Sequence, residues 1–182
     1  MKVFLIRHGE TPWTVAKRYQ GTTDVPLSRK GIQQAKAIAR VLRPLHPTFL
    51  YTSTLRRARD TAEQVARELR LRPVADPRLN EINFGQWEGA YYNHLSKEAG
   101  VPFREWREGK LRKPPGGESI ASLSRRVGQF FREILRNHSE ETVAIVSHGG
   151  PIKMFLFKAL KAGAYGLPSI WSLRIDPASV SL

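Results

Sequence analysis

The chain contains no cysteine, so it can form no disulfide, offers no thiolate nucleophile and cannot build a cysteine metal site or redox centre. It has no stretch approaching the roughly 20 apolar residues that a membrane span requires. The apolar start Val3-Phe4-Leu5-Ile6 meets Arg7-His8 too soon to form a signal-peptide core. A soluble, cytoplasmic protein with no membrane partner is therefore expected. Internal repeats and low-complexity tracts are absent too. Acidic residues are scarce: 16 Asp plus Glu stand against 30 Lys plus Arg, a formal charge of +14. Such a surface concentrates anions. Phosphorylated substrates, nucleic acid and a merely solvated arginine-rich surface all fit that charge, which does not decide among them.

A length of 182 residues with 41% apolar composition can bury one sizeable core, so a single domain over 1–182 is expected. Lys2 to Ile6 is an apolar run ending at a polar, glycine-containing segment, which predicts a buried strand and a functional loop. Ser28 precedes a helical pattern with Ile32, Ala35, Ile38, Ala39 and Leu42 on one face, ended by Pro44 and Pro47. Phe49-Leu50-Tyr51 predicts a second strand, running into a helix with Leu55, Ala58, Ala62, Val65, Ala66 and Leu69 on its apolar face. From about 76 to 116 aromatic residues, glycines and two short helical pieces alternate without a sustained period. An insert of that length in a compact domain predicts a wall or lid over a site. Glu118-Ser119 opens a further helix that ends near Asn137. Thr142 to Val146 reads as another buried strand, followed by Ser147-His148-Gly149-Gly150 and a helix from about Pro151 to Leu160. Ile170 to Ile175 and Ser179 to Leu182 predict a closing pair of strands. The chain stops inside an apolar run, which leaves room for sequence beyond residue 182.

Strands alternating with helices predict an α/β fold with three α/β/α layers and a mainly parallel central sheet. Ligands of such sheets bind at the carboxyl ends of the strands. Arg7-His8 and Ser147-His148 both fall there. His46, His94 and His138 occupy plainer contexts and read as structural or surface residues. A metal site on His8 and His148 would need a third ligand, and there is no His-Glu-x-x-His segment. Arg7 beside His8 suits an anion instead, because its planar guanidinium binds phosphate in a bidentate way.

Arg7-His8-Gly9-Glu10-Thr11 resembles the opening signature of the histidine phosphatase (phosphoglycerate mutase-like) superfamily. In the family's order there follow Tyr19 to Ser28 (YQGTTDVPLS), Ser53 to Ala62 (STLRRARDTA), Leu79 to Gly89 (LNEINFGQWEG), Pro115 to Ser119 (PGGES) and Val146 to Gly150 (VSHGG). The resemblance covers nearly the whole chain. It implies a phosphate pocket of Arg7, His8, Arg57 and His148, with Glu81 as the proton-transfer residue. It further places Gln20, Gly21 and Gly149 beside the substrate. Helical spacing does not select among Arg56, Arg57 and Arg59; the family alignment selects Arg57. The same alignment favours Glu81 over Glu88, which stays the fallback. Relatives commonly carry asparagine where this chain has Thr14, whose shorter hydroxyl can still donate one hydrogen bond to phosphate.

The activity implied is a metal-independent phosphomonoesterase acting through a phosphohistidine on His8, with no cofactor and a small phosphorylated metabolite as substrate. A neutral imidazole is a good nucleophile when one ring nitrogen is held protonated by a hydrogen bond. Glu81 would protonate the leaving alkoxide and then activate water. Phe84-Gly85-Gln86-Trp87-Glu88-Gly89 and the short chain resemble the phosphatase side of the family, with mutase-type transfer as the alternative. A basic RNA- or protein-binding module on the same fold, suggested by Arg56-Arg57-Arg59 and Arg125-Arg126, ranks lower because no stacking aromatics interleave the charges. A homodimer stays open. Trp87, Tyr91, Tyr92, Phe103, Trp106 and Arg107 are the candidates for the wall that selects the alcohol.

Overall fold

A computed structural model describes residues 1–98, 100–107, 110–160, 170 and 173–182, with side chains left out at 96–98, 100, 101 and 107. The central sheet contains β1 (Lys2–Arg7), β2 (Phe49–Thr52), β3 (Pro73–Ala75), β4 (Thr142–Ser147) and β5 (Val180–Ser181) in the order β3-β2-β4-β1-β5. The first four strands run parallel and β5 pairs antiparallel with β1. β1 and β4 are almost wholly apolar because successive side chains point to opposite faces and both faces are covered. Leu5, Val143 and Ile145 enter one core cluster, whereas Phe4, Ile6, Ala144 and Val146 enter the other.

The second cluster lies under α2 (Arg29–Leu42) and α3 (Arg56–Leu69), which contribute Ile38, Ala39, Leu42, Ala58, Ala62 and Val65. Ile32 departs from the expected face and is exposed; the helix opens against the loop at Glu10, where Gly31 is buried instead. Under the first cluster lie α6 (Ile120–Asn137) and α7 (Gly149–Ala159), with Leu123, Val127, Phe130, Phe131, Ile134 and Ile152 buried. Each such side chain contributes about 1.5–3 kcal/mol through removal from water. The helices therefore form layers on both faces, as the alternation of elements predicts.

Helix starts follow local chemistry. Ser28 caps α2 through Gly31 N (3.0 Å) and Ser119 caps α6 through Ser122 N (3.1 Å). α3 has no cap of its own; Asp24 accepts from Arg56 N at 2.7 Å across the chain. A four-residue helix, α1 (Pro12–Val15), follows the first loop, and α4 (Tyr92–Glu98) and α5 (Gly100–Arg107) are the two short helices of the insert.

One expectation is corrected, and one strand is unanticipated. No strand forms at Leu173–Ile175, and 171 and 172 lie outside the described residues; this segment instead lends the Ile175 carbonyl to Arg7. Conversely, Val74 lies in β3, where three residues bounded by proline and aspartate carry too little alternation to signal a strand.

Candidate active site

Two motifs some 140 residues apart become neighbours because β1 and β4 pair in register, Arg7 opposite Ser147. The His8 amide then donates to the Ser147 carbonyl at 3.0 Å. Beyond the sheet edge the two imidazoles lie with ring centroids 5.1 Å apart, and both are buried.

His8 Nδ1 lies 2.7 Å from the Gly9 carbonyl. A carbonyl only accepts, so Nδ1 carries the proton and Nε2 presents its lone pair. Arg57 Nε donates to that nitrogen at 3.2 Å. Burial first, then the charges of Arg57 and Arg7, holds His8 well below its ordinary pKa. The ring is thus neutral at neutral pH. Its loop is held tightly: Gly9 N donates to Thr61 Oγ1, and a Cβ on Gly9 would fall 2.5 Å from the Gly31 carbonyl oxygen.

Among the three arginines at the start of α3, Arg57 alone is buried, with 0% exposure. Its remaining donors reach the Gly21 carbonyl at 2.7 Å and the Thr23 carbonyl at 2.9 Å. Burial lowers its pKa to about 10, opposed by Glu81 and Asp24, so it stays cationic at neutral pH. The loop that supplies those carbonyls is organised by Glu88. Oε1 accepts from Thr22 N at 2.8 Å and Phe84 N at 3.1 Å, and Oε2 accepts from Thr23 N at 2.8 Å and the Thr23 hydroxyl. Gly21 is needed at this point: its φ is +54° and a Cβ would overlap Glu88 Oε1.

Glu81, by contrast, lines the cavity. Its Oε1 accepts from Ile82 N at 2.9 Å and from Gly150 N at 3.0 Å. The carboxylate therefore sits on the N-terminus of α7, whose N-cap His148 makes no side-chain cap. Arg126 clamps the main chain below it, donating to the carbonyls of Arg78 (2.8 Å), Asn80 (2.6 Å) and Glu81 (3.2 Å) while paired with Glu118 at 2.8 Å. Two arginines of the clusters that suggested a nucleic-acid surface, Arg57 and Arg126, thus face inward.

The cavity measures about 660 Å³ and is lined by Arg7, His8, Gln20, Gly21, Arg57, Glu81 and Gly149 at its polar end. Arg7 NH1 is spent on the Ile175 carbonyl, whereas its Nε is buried without a partner. Gln20 Oε1 accepts from the Thr11 hydroxyl at 3.0 Å, which leaves its NH₂ end to donate elsewhere. His148 stands behind this lining, against His8. Thr14 does not reach the site. Its hydroxyl donates to the Thr11 carbonyl at 2.8 Å and accepts from the Thr11 amide at 2.9 Å, a reciprocal cap of α1 that uses up the group expected on phosphate.

Of the aromatic candidates, Tyr92, Phe103 and Trp106 line the cavity, joined by Tyr19 and Phe84. Trp87 packs behind them against Phe103 and Trp106, and Tyr91 stacks under Arg18 with 4.0 Å from guanidinium to ring centroid. The Arg107 side chain lies outside the described part. Sequence reasoning missed Lys153 and the Leu173–Asp176 segment, which complete the rim. Lys153 could have been found, because it follows Gly149 and Gly150 at the spacing of one helix face; nothing in the sequence places Leu173–Asp176 there. Among the described residues no group of three or more histidines or carboxylates could hold a metal ion.

A neutral, oriented imidazole among guanidiniums at the carboxyl end of a parallel sheet is an arrangement suited to holding an oxyanion. The pattern of the histidine phosphatase superfamily (branch 1) matches residues 3–182, and the chain belongs to that family. It is 34% identical over its whole length to phosphoserine phosphatase 1 of Hydrogenobacter thermophilus, covering 85% of that protein. It is 33% identical to a probable phosphoglycerate mutase of Yersinia pestis, covering all of this chain and 83% of that one. A mycobacterial glucosyl-3-phosphoglycerate phosphatase solved with VO₃ superposes with a TM-score of 0.87 at 32% identity, over 98% of this chain and 90% of that chain.

Proposed function

We propose that the protein is a phosphomonoesterase that hydrolyses a small phosphorylated metabolite through a phosphohistidine on His8. The observation that carries this reading is the orientation of the His8 ring: Nδ1–H is tied to the Gly9 carbonyl and Nε2 lies beside Arg57 at 3.2 Å. In the first half-reaction Nε2 forms a bond to phosphorus as the ester P–O bond breaks, and Glu81 gives a proton to the departing alkoxide. In the second, water attacks phosphorus and loses its proton to Glu81, the P–N bond breaks, and inorganic phosphate leaves. Arg57 Nε moves from His8 onto an equatorial oxygen. Arg7, Gln20, Gly21 and the start of α7 at Gly149 surround the same group, with His148 behind them. Such fixed charge supplies most of what phosphoryl transfer needs. No step requires a divalent ion.

The phosphoserine and glucosyl-3-phosphoglycerate phosphatases among the relatives support a metabolite-sized alcohol, which the 660 Å³ cavity has room for. Mutase-type transfer is the second reading, favoured by the name of the Yersinia relative. A phosphomonoester screen in excess chelator, with rapid quenching of ³²P-labelled substrate, tests both. Hydrolysis predicts released phosphate, vanadate inhibition and an acid-labile, alkali-stable phosphoenzyme lost in His8→Ala. Isomerised phosphoglycerate without free phosphate would favour the mutase. Full hydrolysis by His8→Ala would end both readings.

A further inference from the structure

His148 is fully buried, and the structure accounts for only one of its ring nitrogens. Nε2 lies 2.7 Å from Ser53 Oγ, while Nδ1 has no partner. Counting protons around Ser53 decides which nitrogen is protonated. Asn80 Oδ1 receives Thr54 N and the Thr54 hydroxyl, each at 2.9 Å; a backbone N–H can only donate, so the amide cannot be flipped. That same oxygen lies 2.7 Å from Ser53 Oγ. Two oxygens at this distance need a proton between them, and only the serine hydroxyl can give it. Ser53 Oγ, which also accepts from Leu55 N at 3.1 Å, then has one lone pair left for His148. Nε2 must donate.

We propose that Asn80, acting through Ser53, locks His148 in its Nε2–H tautomer, so that this ring engages an oxyanion only after a proton is added at Nδ1. The inference rests on the phosphate-binding reading of the site. It makes Asn80 a positioning residue and makes anion binding a proton-coupled step, the proton coming from solvent.

The charges around His148 fit this coupling. Arg57 faces it from α3, Arg7 from the end of β1, His8 from the loop that follows and Arg126 from α6. The acidic group nearest in the chain's own hydrogen bonding is Glu81, held on Gly150 two residues away. In the free protein burial, then Arg57, His8, Arg7 and Arg126, keeps the ring neutral at neutral pH. An arriving dianion reverses that balance, because it brings two negative charges into a buried cluster of cations. A further cation behind the pocket lining, beside Arg7 and Arg57, is thus created by the ligand.

Sulfate serves as the probe, since its charge is constant through the neutral range and no turnover occurs. Long-range ¹H–¹⁵N spectra of the free protein, with the His148 signals identified by their loss in His148→Gln, should show Nε2 protonated and Nδ1 bare. Calorimetry in buffers of different ionisation heat should register uptake of roughly one proton per bound sulfate near pH 7, with affinity falling about tenfold per pH unit above it. Asn80→Leu removes the acceptor and frees the Ser53 proton to turn towards Nε2. Its uptake should fall by roughly one proton relative to the unmodified protein, with Nδ1 now protonated. Asn80→Asp retains an acceptor for the Ser53 hydroxyl and should keep Nε2 protonated in the free protein. Nδ1 protonated in the free unmodified protein, or unchanged proton uptake in Asn80→Leu, would overturn the proposal. The tautomer measurement needs no variant at position 80, so a failure of Asn80→Leu to fold leaves the question decidable. If His8→Ala hydrolysed substrate normally, the phosphohistidine reading would fall while the tautomer measurement still decided this one.

Discussion

Arg57 Nε points its proton at the lone pair of His8 Nε2 across 3.2 Å. Under the proposed mechanism the cation occupies the line along which phosphorus approaches, and it would exchange this acceptor for a phosphate oxygen as the P–N bond forms. One residue thereby tunes the nucleophile at rest and the electrophile during reaction. Glu88 sets its position indirectly, through the Thr22 and Thr23 amides and the Gly21 and Thr23 carbonyls.

Replacing Arg57 by methionine should lower kcat by about 10²- to 10³-fold, the usual cost of losing one fixed stabiliser of transition-state charge. Arg57 lowers the His8 pKa, so its removal raises that value. The acid limb of kcat/KM should therefore move to higher pH. A pH–rate profile that lost amplitude without this displacement would contradict the assigned contact.

Glu81→Gln keeps an oxygen for the Ile82 and Gly150 amides but has no proton to give. For alkyl phosphates kcat should fall by about 10²- to 10⁴-fold. For p-nitrophenyl phosphate, whose leaving group departs without protonation, phosphoenzyme formation should be nearly unaffected. Pre-steady-state bursts with the two substrates separate the cases.

Glu88→Ala leaves the Thr22, Thr23 and Phe84 amides without their acceptor. Denaturant titration should show a loss of about 1–3 kcal/mol. Activity should fall through kcat more than KM, because Arg57 loses its support while the cavity lining stays. Equal retention of both would mean that the loop holds itself.

Two buried histidines with depressed folded-state pKa values make stability depend on pH in a defined direction. The unfolded chain binds protons at the ordinary value of about 6.5, before the folded protein does. Their contribution to stability is present above that pH and is lost as pH falls towards the folded values. The slope should approach about 1.4 kcal/mol per pH unit for each ring. Chemical denaturation between pH 7.5 and 5.5 checks this, and His8→Asn or His148→Gln should each flatten the curve.

Much of this protein was determined by its sequence alone. Apolar runs ending in Arg7-His8 and in Ser147-His148 already specify two strands covered on both faces, and strand ends are where a sheet exposes polar residues to a ligand. Hydrophobic periodicity specifies α2, α3 and α6, because a helix must bury one face. Tertiary structure alone decided which polar groups meet. Arg56, Arg57 and Arg59 are equivalent in the helical pattern until the 21–23 loop covers one of them. Glu81 and Glu88 are equivalent until one caps α7 and the other holds that loop. Thr14 could reach phosphate on paper and instead closes its own helix cap. Directional hydrogen bonds are assigned by distances among groups far apart in the chain, whereas burial of a strand or helix face is written in residues that are near neighbours.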